Sequence, residues 1–396
     1  MPLASLPLEL RESIVDYLRP TRPRTGISVN TILEDLHNAR LSCRPLYEAS
    51  WGAFGRTLWL RKFRLVQSHL NLLTSFSKIA YLAATVRTLS FGIERFSADA
   101  FRSFENWIDR AQTEEIRAQR RATYLQYKAI TTSEQQLHAS GKAAQMLDAA
   151  LRNFPNLREV VVFVPREWKS TLPFWPGCTE QDMFNKLQKE EWEPIYDYYS
   201  QADFMRVLLS ASTRRPRVLE VLRVVDGGVI PDFYGQDSEL LDTAMLGLRE
   251  LSLPLRKPLV PMADVRPDWL AEFVGSTSKT LQFLHLSFPS NLEENSVRVF
   301  GDFSKDIYLP KLRSLSLKGI ECEDEALKAF FRKHAKTLRE LKLECITLSR
   351  SWEELLVLIA DVLSLEILGI YDARPKNQTL VSARLFRRAA NRFMYC

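Results

Sequence analysis

A short pattern, apolar-x-x-apolar-x-apolar, recurs eight times along this chain. It reads VRTLSF from Val86, LREVVV from Leu157, LEVLRV from Leu219 and LRELSL from Leu248. It continues as LQFLHL from Leu281, LRSLSL from Leu312, LRELKL from Leu338 and LEILGI from Leu365. The middle apolar residues are Leu89, Val160, Leu222, Leu251, Leu284, Leu315, Leu341 and Leu368. From Leu222 onward they are 29, 33, 31, 26 and 27 residues apart, and the two earlier steps are 71 and 62. Alternation of period two marks a half-buried strand. Strands this short cannot bury an apolar face alone. Stacked side by side, each followed by a helix, they bury one continuous core. An ordinary parallel sheet would read instead as continuous apolar runs.

The segments between the strands read as helices. Glu323 to Thr337 sets Leu327, Phe330, Phe331 and His334 at helical spacing. Its acids come first and its bases last, which suits the helix dipole. SWEELLVLIADVL opens with Ser351 and Glu354 in capping-box spacing, and Leu355, Ile359 and Val362 follow on one face. The expected fold class is α/β, built as an irregular leucine-rich-repeat solenoid of parallel strands with helices outside. The asparagine expected after each strand is replaced by Ile320 and Ile346, so no polar ladder is predicted.

Two insertions, at about 95–150 and 165–215, interrupt the early steps. Gln112 to Leu151 is charged and alanine-rich, and reads as a long helix or helical pair, partly exposed. Pro165 to Phe204 holds Trp168, Trp175, Trp192, Tyr196, Tyr198 and Tyr199, which either form a recognition patch or pack the insertion down. The stretch SARLFRRAANRF near the C-terminus is expected to cap the solenoid.

Residues alternating with the buried ones face the concave side, the usual binding face of such arrays. The candidates for holding a protein ligand are Phe283, His285, Ser316, Lys318, Glu340, Lys342, Glu344 and Tyr371. Glu250, Ser252, Ser314 and Ile367 share that side.

Composition narrows the function classes. At 396 residues the chain exceeds a typical single core unless it is a repeat array. No apolar run approaches the ~20 residues of a membrane span, and Glu9 and Arg11 come too early for a signal peptide. The five cysteines are scattered and include no CxxC pair, which favours a reducing compartment, cytosol or nucleus. Cys322 and Cys345 fall at similar places in neighbouring repeats and are expected to be small buried residues. The net charge of +6 is matched by six basic residues between Ala373 and Cys396, with no acid among them. The remainder is therefore near neutral, and no nucleic-acid surface is indicated. Nucleotide-loop, metalloprotease and hydrolase motifs are absent. The five histidines lie beside no triad or metal pattern. The expectation is a non-enzyme with no metal and no cofactor.

The first fifty residues carry a different signal. SLPLELRESIVDYL reads as an amphipathic helix with Leu10, Ile14, Tyr17 and Leu18 on one face. RPTRPRTGISVNT reads as a loop, and helical patterning resumes with Leu36, Leu41 and Leu46 as apolar anchors. Leu6-Pro7-x-Glu9-Leu10, Ile14, Leu18, Asp35-Leu36, Leu41-Ser42-Cys43-Arg44 and Leu46 resemble the F-box motif. The chain as a whole is similar to the F-box and leucine-rich-repeat proteins abundant in fungi. It departs from them by about a dozen extra residues before Asp35-Leu36.

The resemblance implies the substrate receptor of an SCF-type ubiquitin ligase. A helical hook would bury Leu6, Pro7, Leu8, Leu10, Ile14, Leu36 and Leu41 in the Skp adaptor, which joins it to the cullin scaffold. The repeats would hold a protein substrate. Independently, a region of ~50 residues is too small to bury so many apolar side chains alone, and a partner can complete its core. The alternatives are that these residues pack against the repeats, or that the chain is a binding scaffold without ligase function. The domains expected are a helical hook at 1–52, a helical connector at 53–85 and the solenoid at 86–396.

Overall fold

The computed structural model describes residues 6–17, 29–93, 96, 98, 100–164, 183, 187, 201–213, 218–226, 238–255, 269–288, 293–349, 352–372 and 374–375. The chain divides into two compact units, Met1–Arg217 and Val218–Cys396.

In the first unit, α1 (Leu8–Tyr17), α2 (Val29–Ser42) and α3 (Arg44–Thr57) lead through a 3-10 turn (Leu58–Leu60) into β1 (Lys62–Phe63). There follow α4 (Gln67–Ser77), α5 (Ala80–Ala83), β2 (Thr88–Gly92), α6 (Ala100–Asp109), α7 (Glu114–Ala139), α8 (Lys142–Arg152), β3 (Glu159–Val164) and α9 (Gln201–Thr213). The three strands run parallel in the order β1-β2-β3. Phe63 and Phe91 meet at 6.2 Å between ring centroids, and Phe76 and Phe204 extend that aromatic core.

The segment read as a partly exposed insertion is a helical pair, but much of it is bound into the unit. α7 and α8 are joined through Gly141, whose φ of 69° is in the left-handed region that glycine enters freely. Tyr127 on α7 is fully buried with Phe96, Ala100, Phe104, Met183 and Leu187. Glu134 forms a buried ion pair with Arg64 (3.4 Å) and accepts a bond from the Phe96 N–H. Four residues on, the His138 Nε2–H donates to the Leu65 carbonyl. Both contacts tie α7 to the end of β1.

The second unit alternates strand and helix. Its elements are β4 (Val221–Asp226), α10 (Ser238–Met245), β5 (Glu250–Pro254), α11 (Trp269–Gly275), β6 (Phe283–Ser287), α12 (Glu293–Asp306) and β7 (Ser314–Lys318). They continue with β8 (Glu321–Cys322), α13 (Asp324–His334), β9 (Glu340–Glu344), β10 (Thr347–Leu348), α14 (Trp352–Val362), β11 (Ile367–Tyr371) and β12 (Arg374–Pro375). Six strands run parallel in the order β4-β5-β6-β7-β9-β11, and β8, β10 and β12 form a second small parallel sheet. The described architecture is thus α/β, with parallel sheets and helical crossovers.

The middle residues of the sequence pattern pair one to one. Leu89 faces Val160, and Leu222, Leu251, Leu284, Leu315, Leu341 and Leu368 stand in one line across the second unit. Leu222, Leu251, Leu284, Leu315 and Leu341 are buried, as are Phe300, Phe303, Phe330, Phe331, Trp352, Leu355 and Ile359 of the helices, while Leu368 on the last main strand is half-buried. Ile320 and Ile346, where asparagine was missing, are buried as well. Val362, read on the apolar face of its helix, is exposed at the helix end. His334 is locked in this core. Its Nε2 accepts from the Leu309 N–H and its Nδ1–H donates to the Phe330 carbonyl, which fixes the neutral ring. Burial lowers its pKa, opposed in part by the bond to Phe330.

Each of the last three main strands turns a corner on one left-handed residue: Gly319 (φ 68°), Cys345 (φ 53°) and Asp372 (φ 51°). The Gly319 N–H donates to the Glu344 carbonyl and the Cys345 N–H to the Tyr371 carbonyl, so each corner is stitched to the next strand. This corrects the pairing of the cysteines expected from sequence. Cys345 occupies the corner that Gly319 holds one strand earlier, whereas Cys322 pairs in register with Leu348. The two are not equivalent positions. Cys322 is buried but Cys345 is only half-buried.

Candidate interaction surfaces

The N-terminal helices form a small closed core that leaves apolar residues outside it. Pro45 sits in the first turn of α3, where its missing N–H costs nothing. Without that N–H, Pro45 cannot continue the hydrogen-bond ladder of α2, and the chain is extended at Cys43 between α2 and α3. Both α1 and α2 pack on α3, burying Val15, Leu36, Ala49 and Ala53 with Leu46 and Phe54 against them. The Arg40 guanidinium lies over the rings of Trp51, Phe54 and Tyr47 at 4.0, 4.5 and 4.8 Å and bonds Ser50, which clamps α2 onto α3. Arg11 fastens α1 by donating to the Pro45 carbonyl.

Of the residues expected to meet an adaptor, Leu36 is placed inside this core and not on the surface. It faces Val15, the residue of α1 that points inward. Leu10 and Ile14, one turn apart on a different stripe, are exposed with Leu8 and Leu41, at 42 to 71% of their surface. Pro7 is exposed and Leu6 half-buried. Tyr47, which the sequence reading did not single out, is also exposed.

The second surface is the exposed face of the second unit's sheet. Register sets its side chains in three rows. The first is Glu250, Phe283, Ser314, Glu340 and Ile367. The middle row is Ser252, His285, Ser316, Lys342 and Gly369, and the third is Pro254, Ser287, Lys318, Glu344 and Tyr371. All eight ligand-holding candidates of the sequence reading stand on this face. None of the fifteen is fully buried, and Phe283, Ile367 and Tyr371 are 39 to 59% exposed.

Polar contacts run between strands. His285 Nδ1 and the Ser316 hydroxyl share a 2.8 Å bond, Arg223 pairs with Glu250, and Glu344 takes a bond from Lys318 and lies 3.5 Å from Lys342. The bond from Lys318 holds the Glu344 carboxyl below its ordinary pKa. Burial, then the charges of Lys342 and Lys318, lower that of His285. Among the described residues no group of three or more metal-binding side chains occurs, and no helix is long and apolar enough to cross a membrane. The aromatic residues between 165 and 200 and the C-terminal arginine-rich stretch lie outside the described residues.

No protein-family model matches this chain, and no curated protein matches it.

Proposed function

We propose that this chain is the substrate receptor of an SCF-type ubiquitin ligase, with an F-box-like hook for the Skp adaptor and a leucine-rich-repeat array for a protein substrate. One observation carries the reading. The N-terminal helices have closed their own core on Val15, Leu36, Ala49 and Ala53, yet Leu8, Leu10, Ile14 and Leu41 remain in solvent. Four large apolar side chains gathered within about forty residues of one small helical unit are what a partner-completed surface needs. The contact set is therefore Leu8, Leu10, Ile14 and Leu41 with Tyr47 added, and Leu36 becomes a support beneath it.

The second sheet supports the receptor half. Its leucine line repeats across six parallel strands and leaves a polar face with three large apolar residues available. In this role the chain holds and positions, and ubiquitin transfer belongs to other subunits reached through the cullin. Cytosol or nucleus is the fitting compartment for free Cys43, Cys322 and Cys345.

The test is a titration of purified Skp adaptor against the purified chain. Leu10→Asp with Ile14→Asp should abolish binding while leaving the melting temperature within a degree or two, since both residues are exposed. Undiminished adaptor binding by that variant, or none by the unaltered chain, would sink the proposal.

A further inference from the structure

The last repeat of the second unit leaves its inner side chains uncovered. Around β7 and β9 the inner residues Leu312, Leu315, Leu317, Leu338, Leu341 and Leu343 are at most 1% exposed. Their counterparts around β11 are Leu365, Leu368 and Ile370, and all three are only half-buried. Among the described strands β11 is also the edge of the sheet, paired with β9 alone. An apolar edge of this kind needs a cover.

The chain's own continuation is in place to supply it. Gly319, Cys345 and Asp372 are three successive corners, each followed by a short outer strand, β8, β10 and β12. After β8 the chain enters α13 and after β10 it enters α14, each of 11 residues. Residues 376–396 follow β12 at the same point of the repeat and are long enough for such an element. Their apolar side chains also match. In α13 the buried side chains include Leu327, Phe330, Phe331 and His334. Phe386, Ala389, Ala390 and Phe393 recur at that same spacing.

Charge agrees. From Trp352 to Asp372 the chain holds five acids and no base, and from Lys376 to Cys396 five bases and no acid. Lys328 of α13 engages one of those acids, Glu354, while Glu353, Asp361 and Glu366 lie at the surface. The apolar cover carries the argument, and the opposite charges favour the same pairing.

We infer that residues 376–396 dock on the end of the array, with Phe386, Ala389, Ala390 and Phe393 over Leu365, Leu368 and Ile370. The basic segment thus lies beside the acidic last repeat. The sheet is closed by its own chain, and a second copy is kept from pairing with β11. This holds whether or not the hook meets an adaptor.

The test is hydrogen exchange of the full chain. Phe386→Asp with Phe393→Asp should speed exchange over Trp352–Val362 and Ile367–Tyr371 by about tenfold or more. Exchange in β7 and α13 should not change, which also shows that the variant folds. A synthetic peptide of residues 376–396, added to that variant, should restore the slow exchange, and less well as salt rises. Equal exchange in the variant and the unaltered chain overturns the docking, and so does a loss that the peptide does not restore. A full chain that sediments as a dimer through β11 overturns it too, because a second copy then covers the edge. Restoration that ignores salt overturns the part assigned to charge.

Discussion

The two units present the same kind of sheet in opposite states. In the second unit the strands alternate buried leucine with half-exposed polar residue. In the first, alternate positions beyond the strand starts are buried too: Lys62, Ser90, Val161 and Phe163 are only 0 to 8% exposed, while Thr88 and Glu159 at the starts of β2 and β3 are half-buried. Even Lys62 is enclosed there, with its ammonium 5.8 Å from the centroid of the Phe163 ring. The difference follows from what lies between the strands. The crossovers of the second unit are short, whereas the first carries α6, α7 and α8 between β2 and β3, and α7 is tied back to β1 by Arg64 and Glu134. A sheet of one design is thereby a two-sided core in one place and an open surface in the other.

The strongest way to break this comparison is to release α7. Glu134→Ala leaves the buried Arg64 without that carboxylate, at a cost of about 3–5 kcal/mol in urea unfolding. A loss under about 1 kcal/mol would mean that the ion pair does not hold the helix. The most direct contrast is between two phenylalanines on the alternate face. Phe163→Ala should cost about 3 kcal/mol, and Phe283→Ala less than about 1 kcal/mol, by the same denaturation. Equal costs would erase the distinction between covered and open faces.

Within the second unit, the corners differ by one residue type. At Gly319 a Cβ would stand 2.1 Å from the Phe288 carbonyl oxygen, in a left-handed backbone, so Gly319→Ala should lose about 2 kcal/mol or more. Cys345 meets the same left-handed requirement with a side chain, so Cys345→Gly should gain about 1 kcal/mol in thermal unfolding. A loss at Cys345 would show that its side-chain contacts outweigh the backbone strain.

Acid tests the core against the open face. The folded pKa of His334 lies below its unfolded value of about 6.5, so below that pH the unfolded chain binds the proton more readily. The stability owed to neutral His334 is complete above about pH 6.5. It falls as the pH drops toward the lower folded pKa, by at most about 1.4 kcal/mol per pH unit. Melting temperatures from pH 7.5 to 5 should show that slope, reduced in His334→Gln. An unchanged slope in the variant would assign the acid sensitivity elsewhere.

The main strands from β2 onward were legible because their side-chain period is two and their middles recur. Each of the eight pattern segments contains a strand, and their middles meet in register within each unit. β1 was not legible: it is two residues long and begins with a lysine whose burial depends on partners far along the chain. The start of α2 at Val29 was hidden by the turn-like composition before it. Periodicity also could not tell which stripe of α1 meets its own core and which meets solvent. The sequence reading places Leu10, Ile14 and Leu36 together in one adaptor-facing set, whereas Val15, off that stripe of α1, is the residue that packs inward, and Leu36 lies with it. The Arg40 clasp and the Arg64–Glu134 pair were invisible for a related reason. Arg64 and Glu134 lie 70 residues apart, Arg40 reaches its rings across a helix break, and nothing local marks either contact. The face of the second sheet was legible residue by residue, because strand alternation alone assigns it.

The central claim is that the hook and the open sheet are separate surfaces, one for the adaptor and one for the ligand. Hydrogen exchange of the purified chain, with and without purified Skp adaptor, tests it most directly. The account predicts added protection over Leu8–Tyr17 and Val29–Ser42, with β5, β6, β7 and β9 unchanged. No added protection in those two helices, or protection that appears on the sheet instead, would contradict it.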